Sequence, residues 1–187
     1  MDATAIITLS DVYEFLSVAG SDDDTLIQNL IDRKTSEFEN YCQLDSFYVD
    51  DYVEYYDGDR TPYLFVKNFP INSIAEIASD SDWVWGSDTV IDSSDYRVVE
   101  KNHIVYKESY FNEGLQNIKV SYNAGYSIIP LDIQEALIEE VTRIYHRRKE
   151  VDVFIKTITD GSQHRTPSGL MPATKIILSK YRRLRAV

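Results

Sequence analysis

Residues 117–150 read NIKVSYNAGYSIIPLDIQEALIEEVTRIYHRRKE, a strand, a turn and a long helix in immediate succession. Ile118, Val120 and Tyr122 alternate with Lys119 and Ser121, the period of two that marks a half-buried strand. Ala124-Gly125 then supplies a backbone free to turn. Pro130 suits a first helical position, where no amide hydrogen is needed, and Asp132 and Glu135 place negative charge at the positive end of the helix dipole. Ile133, Leu137, Val141 and Ile144 recur three or four apart, and Ala136 and Tyr145 widen the stripe. At about 1.5 Å per residue the span from Pro130 to Lys149 is a rod of about 30 Å, long enough to organise a domain.

Working outward, Leu9, Val12, Phe15 and Leu16 fall on one face of a short helix near 8–18, which Thr8 or Ser10 can cap. Ser21-Asp22-Asp23-Asp24 reads as the start of a second helix near 23–42, its carboxylates favouring the dipole. The three aspartates lack the alternating spacing and glycine of a calcium loop. Leu26, Ile27, Leu30, Ile31, Phe38, Tyr41 and Cys42 form the buried side of that helix. From Phe47 to Tyr122 short apolar runs alternate with turn residues, the pattern of antiparallel sheet. The expected strands are 48–56, 63–66, 71–78, 96–99, 103–106 and one from Ile118, with Asp57-Gly58-Asp59 as a hairpin-type turn. Trp83 and Trp85, two apart in the acidic segment 79–95, share a face if extended. They read as core of the sheet lobe in preference to an exposed contact patch. Residues 151–169 form either a partner-binding arm, with Val153, Phe154 and Ile155 at its apolar start, or a strand or short hairpin against the sheet. A last helix near 172–185 opens at Pro172, turns Ile177, Tyr181 and Leu184 to one face and carries Lys175, Lys180, Arg182, Arg183 and Arg185. The fold class is therefore α+β: a small helical bundle with helices near 8–18, 23–42, 130–149 and 172–185, and an antiparallel β lobe inserted over 47–122, in one domain spanning 1–187.

The net charge of −12 over 187 residues is unevenly spread. Residues 1–140 hold 8 Lys and Arg against 28 Asp and Glu, whereas residues 141–187 hold 11 against 3. An acidic body with a basic C-terminal segment does not suit duplex binding, which needs phosphate charge offset across the contact. It suits a protein that meets other proteins, or copies of itself, through surfaces of opposite sign. No apolar run reaches the roughly 18 residues of a membrane span, and the N-terminal stretch lacks the features of a secretory signal, so a soluble protein made in the cytosol is expected. Cys42, the one cysteine, excludes an internal disulfide framework and reads as core.

Catalytic motifs are absent from the sequence. His103, His146 and His164 show no metal-ligand or nucleophile-base spacing, and no phosphate loop, G-x-S-x-G or HExxH occurs. No catalytic residue, metal or cofactor is expected. On the residues alone the chain reads as an α+β interaction protein.

Taken as a set, ITLSDVYEFLSV, DDDTLIQNLIDRKTSEFENYC, YYDGDRTPYLFVKNFPINSIAEI, SDYRV, the 117–148 stretch and LMPATKIILSKYRR resemble the bacteriophage head-tail connector family, the adaptor or head-completion proteins that bind beneath the portal. The central strand lobe matches the longer members. The resemblance implies a non-enzymatic ring of identical subunits, dodecameric, that joins the DNA-filled head to the tail and encloses the exit channel. DNA would pass through without sequence-specific binding, and no membrane would be involved. Its partners would be itself, the portal and a stopper or tail component, and its location the virion neck, with assembly in the host cytoplasm. Family members grip the portal with the C-terminal arm. Here that arm is 170–187, with Lys175, Lys180, Tyr181, Arg182, Arg183 and Arg185 as proposed portal contacts, and its removal is expected to leave a folded subunit that no longer attaches. Alternatives are another neck component (a stopper or tail terminator), a metal-dependent hydrolase using Asp57, Asp59, Asp80 and Asp82, or a DNA-binding packaging accessory.

Overall fold

Thr8, rather than Ser10, opens the first helix: its hydroxyl accepts the Asp11 amide at 3.3 Å, and the Asp11 carboxylate accepts the Thr8 amide at 2.7 Å, a reciprocal cap. The computed structural model describes residues 6–17, 22–99, 104–148, 155–157, 163–165 and 169–183. The chain divides into two units, one from Met1–Cys42 with Ile129–Arg182 and the other from Gln43–Ile128 with Arg183–Val187. Among the described residues no helix is long and apolar enough to cross a membrane.

The first unit holds α1 (Leu9–Leu16), α2 (Asp24–Cys42), α3 (Leu131–Arg147) and α4 (Pro172–Ser179). Helices α1, α2 and α4 all pack on α3, as its apolar stripe requires. α2 turns Ile27, Leu30, Ile31, Phe38 and Cys42 inward, and α3 turns Ile133, Ala136, Leu137, Val141 and Tyr145 inward. Each fully buried aliphatic or aromatic side chain among these contributes about 1.5–3 kcal/mol. Pro130 stands one position ahead of the helix, as its N-cap, and its carbonyl accepts the Ile133 and Gln134 amides. Two apolar side chains of the expected faces are instead exposed, Phe15 (56%) and Leu26 (39%). Helical spacing marks the direction of a buried face but not its width, and in the two-turn α1 only Val12 is fully covered. Asp24 does open α2, yet its carboxylate accepts the Tyr13 hydroxyl at 2.5 Å, and that of Asp23 accepts the Tyr145 hydroxyl. The hydrogen bond to Asp24 pushes the Tyr13 phenol up to about 12.

In the second unit β1 (Asp50–Gly58), β6 (Gly114–Ala124) and β3 (Ile71–Ser79) form an antiparallel sheet in the order β1-β6-β3, while β2 (Tyr63–Phe65), β5 (Ile104–Lys107) and β4 (Tyr96–Val99) form another in the order β2-β5-β4. Leu64, Val66, Ile77, Val105, Phe111, Ile118, Val120 and Tyr122 bury the core of this unit. Within it the Glu54 carboxylate accepts the Tyr56 and Tyr122 hydroxyls, and burial raises both phenols above their ordinary range. Asp57-Gly58-Asp59 is not the expected turn. β1 continues through Gly58, which pairs with Gly114 after a register shift beyond Tyr56. A Cβ at Gly58 would lie 1.7 Å from the Asn112 carbonyl oxygen, so the glycine serves close backbone approach instead of reversal.

Within 151–169 an antiparallel hairpin forms from β7 (Ile155–Thr157) and β8 (Gln163–Arg165), with Ile155 paired to Arg165. Of the two readings open there, a hairpin is present, but as a two-stranded sheet of its own and not as an addition to a three-stranded one.

Candidate assembly site

α4 is held by an acidic side chain at a core position. Glu140 is 1% exposed, and its Oε1 accepts the Met171 amide at 2.6 Å and the Thr174 hydroxyl at 3.0 Å. Its Oε2 accepts Arg143 Nε at 3.1 Å and Nη2 at 2.5 Å. Burial alone would raise the carboxyl pKa. The donors outweigh it and hold the group below its ordinary value. Because Met171 is the N-cap of α4, one carboxylate of α3 fixes where the last helix begins. Thr174 and Leu178 face inward, and the Leu178 carbonyl accepts the Cys42 thiol at 3.5 Å.

The last helix is shorter than expected. It ends at Ser179, and the Lys180 and Tyr181 amides close the final turn on Ile177 and Leu178. Tyr181 does not lie on the face of a continuing helix; its hydroxyl donates to Asp132 at 2.6 Å. The Lys180 ammonium stands 3.5 Å from the same carboxylate. Asp132 therefore bonds the end of α4 as well as facing the α3 dipole. Arg182 is exposed, its guanidinium 5.9 Å from the centre of the Tyr41 ring. Arg183, past the helix end, donates to the Phe65 carbonyl at 3.2 Å, and its Nε is buried without a partner among the described residues. Lys175 is exposed on the outer face of α4 beside Ile176, which is 68% exposed. The structure thus brings Lys180 and Tyr181 together on Asp132 and sets Lys175 apart. Arg185, Val153 and Phe154 lie outside the described residues, and Ile155 is placed only as a residue of β7.

A second surface lies on the sheet unit. Trp83 and Trp85 are not core, as expected, because they do not sit on a strand: both adopt left-handed backbone, with φ of 58° and 57°, so the two-residue strand period cannot apply. Trp83 is 57% exposed and its indole donates to the Leu115 carbonyl at 3.2 Å. Trp85 packs against Tyr55 with ring centres 5.4 Å apart. Tyr55, Trp83, Trp85 and Gln116 line a hollow of about 290 Å³. Gln116 is left-handed too, at φ 46°, so three of the four lining residues hold a conformation that bulky side chains rarely adopt. Two carboxylates bond the backbone there. Asp80 accepts the Asp82, Val84 and Trp85 amides at 2.8–2.9 Å, which holds its carboxyl below the ordinary range, and Asp57 accepts the Gln116 amide at 2.7 Å.

These bonds also bear on the hydrolase alternative. Asp57 is taken up by the Gln116 amide and Asp80 by three amides of its own loop, and Asp59 accepts the Thr61 amide and hydroxyl. Among the described residues no group of three or more His, Cys, Asp or Glu is placed to hold a metal ion. His146 is exposed on α3, His164 lies in β8, and His103 falls outside the described residues.

Residues 5–184 match the family described as Head completion protein. The chain belongs to the head completion protein family. That family is one of structural phage head proteins, not of enzymes. Among solved structures, a chain of "Virion of native gene transfer agent (GTA) particle" is similar to this member with a TM-score of 0.60 at 13% identity, over 100% of this chain and 95% of that one. A chain of "Neck of empty GTA particle computed with C6 symmetry" matches at 0.59 and 12%, covering 97% and 92%, and one of "Neck of native GTA particle computed with C12 symmetry" at 0.55 and 12%, covering 91% and 95%. Among curated proteins no sequence matches. At these identities the likeness is one of fold. Two features of this head completion protein escaped the sequence reading, Glu140 and the aromatic hollow. Glu140 had a signal: it falls on the apolar phase of α3, between Leu137 and Val141 and Ile144.

Proposed function

We propose that the chain is a subunit of a dodecameric adaptor ring in the neck of a phage particle, seated beneath the portal and joining the DNA-filled head to the tail. The observation that carries this reading is the family match over nearly the whole chain, supported by a shared fold with chains of neck particles described with C6 and C12 symmetry. The charge distribution agrees. A head-to-tail ring needs two unlike complementary surfaces on each subunit, and an acidic body with a basic C-terminal segment supplies opposite signs. Carboxylates facing the channel would keep DNA from adhering as it leaves.

The C-terminal segment grips the portal in this reading, with its cations Lys175, Lys180, Arg182, Arg183 and Arg185 and with Tyr181. Removing all of 170–187 is not a clean test, because it strips Thr174 and Leu178 from the core and the Met171 and Thr174 donors from Glu140. Removing 181–187 spares them. Negative-stain images of portal mixed with the full chain should show an added ring coaxial with the portal, and the shortened chain should fold without adding one. Density from the chain at the tail tube and none at the portal would assign it to a stopper or tail terminator instead.

A further inference from the structure

Sheets that keep one face in water ordinarily place polar residues there. On β1 the exposed positions Asp51, Val53, Tyr55 and Asp57 alternate, and the middle two are apolar or aromatic, Val53 (58% exposed) and Tyr55 (48%); Trp83 (57%), Val84 (77%) and Leu115 (69%) are exposed in the same unit. Tyr55 and Trp83 line the hollow together with Trp85 and Gln116. Three strained backbone positions maintain it, and Asp82 and Asp88 are exposed along the same loop. An aromatic recess beside a loop that carries exposed carboxylates fits an apolar knob flanked by cations.

The outer face of α4 is such a knob. With Thr174 and Leu178 turned inward, helical geometry puts Ile176 at the middle of the outward face, Lys175 on one flank and Lys180 on the other. Ile176 is 68% exposed, the Lys180 side chain is 61% exposed, and Lys175 is exposed. We propose that the α4 face of one copy, Lys175, Ile176 and Lys180, docks on the Tyr55, Trp83 and Trp85 hollow of a second copy. Ile176 fills the recess, and the lysines face Asp82 and Asp88. The contact is head-to-tail, since the two surfaces differ, and it repeats from copy to copy until a ring closes. Buried aromatic anchors surrounded by a polar rim are the arrangement in which a few side chains carry most of an interface. The inference rests on the ring reading above, and it narrows the portal contact to residues beyond Lys180.

The test is a cysteine pair in assembled particles. Ile176→Cys and Trp83→Cys are made separately in the full chain, where buried Cys42 stays silent, and particles are assembled from an equal mixture and oxidised. The expected result is a disulfide-linked dimer that particles of either variant alone do not give. In parallel, Asp82→Lys lowers incorporation into particles by roughly tenfold, as loss of one interfacial charge pair implies, and Lys175→Asp in the same chain restores it. Necks that contain the chain but give no mixed cross-link and no charge rescue would overturn the docking surface while leaving the neck reading intact. Particles whose necks lack the chain would overturn both.

Discussion

Glu140 on α3 accepts the backbone amide of Met171 at 2.6 Å from a position that is 1% exposed. A buried carboxylate is stable only when its charge is met by donors, and here the Thr174 hydroxyl and the Arg143 guanidinium complete the set. One side chain thereby fixes the start of the helix that carries the basic end of the chain. Glu140→Ala should destabilise the helical unit by about 3–5 kcal/mol, since it leaves the Met171 amide and the buried Thr174 hydroxyl without their acceptor and breaks the ion pair with Arg143. Thermal unfolding followed by circular dichroism checks this; a melting temperature within a degree of the parent would contradict it.

The same carboxylate gives a pH dependence of definite sign. Its pKa is depressed in the folded state relative to an ordinary glutamate at 4.5, so its contribution is fully present above 4.5 and is lost as pH falls through the lower folded value. Urea midpoints of the parent and of Glu140→Gln should differ most at neutral pH and converge only as pH falls below 4.5 and through the depressed folded value. A gap that is constant with pH would mean that charge plays no part.

The sequence made the framework legible because periodicity follows directly from burial. The α3 stripe and the alternation of β6 sit where 117–150 placed them, since a strand or helix that buries one face must repeat its apolar residues at a fixed spacing. Two kinds of feature were hidden. One is termination: nothing in ILSKYRR stops a helix, and α4 ends at Ser179 where Tyr181 and Lys180 turn to Asp132, a residue 49 positions away from Tyr181. The other is non-repetitive backbone. Trp83 and Trp85 looked like strand core because period-two spacing presumes extended φ, and the Asp80 carboxylate pulls the chain out of that conformation. Glu140 shares the phase of the apolar stripe, but phase alone does not tell a buried carboxylate from a rim one; its donors Met171 and Thr174 lie 31 and 34 residues away.

Cys42 should be inert in the folded protein. It is fully buried, and burial pushes the thiol up to about 12, the nearby Arg182 only partly offsetting this. A thiol reagent such as Ellman's should react on the timescale of unfolding in native buffer and at once in denaturant. Rapid native reaction would show that the packing of α2 against α4 opens readily.

Gly58→Ala should be among the most damaging single-methyl additions. The new Cβ would meet the Asn112 carbonyl oxygen at 1.7 Å, a backbone atom that cannot rotate away, and it would also crowd the Asn117 side chain, whose Oδ1 accepts the Gly58 amide at 2.9 Å. The local register between β1 and β6 must then shift, at a cost of about 1–3 kcal/mol or more. The variant should unfold at lower urea than the parent, and equal midpoints would show that the end of β1 yields to the added methyl without cost.

Asp80 controls the aromatic hollow without lining it. Its carboxylate accepts the amides of Asp82, Val84 and Trp85, and those bonds hold Trp83 and Trp85 in left-handed backbone that neither residue favours alone. Asp80→Ala removes the acceptors, and the loop should relax toward extended conformation with Trp85 leaving Tyr55. Near-ultraviolet circular dichroism, sensitive to the Tyr55 and Trp85 pairing, should lose intensity while the far-ultraviolet signal stays close to that of the parent. Acid should imitate the substitution: the hydrogen bonds depress the Asp80 pKa below 3.8, so the hollow persists through neutral pH and opens only as pH falls below that value. If the aromatic signal survived both treatments unchanged, the tryptophan backbone would have to be held by the packing of the rings and not by the carboxylate.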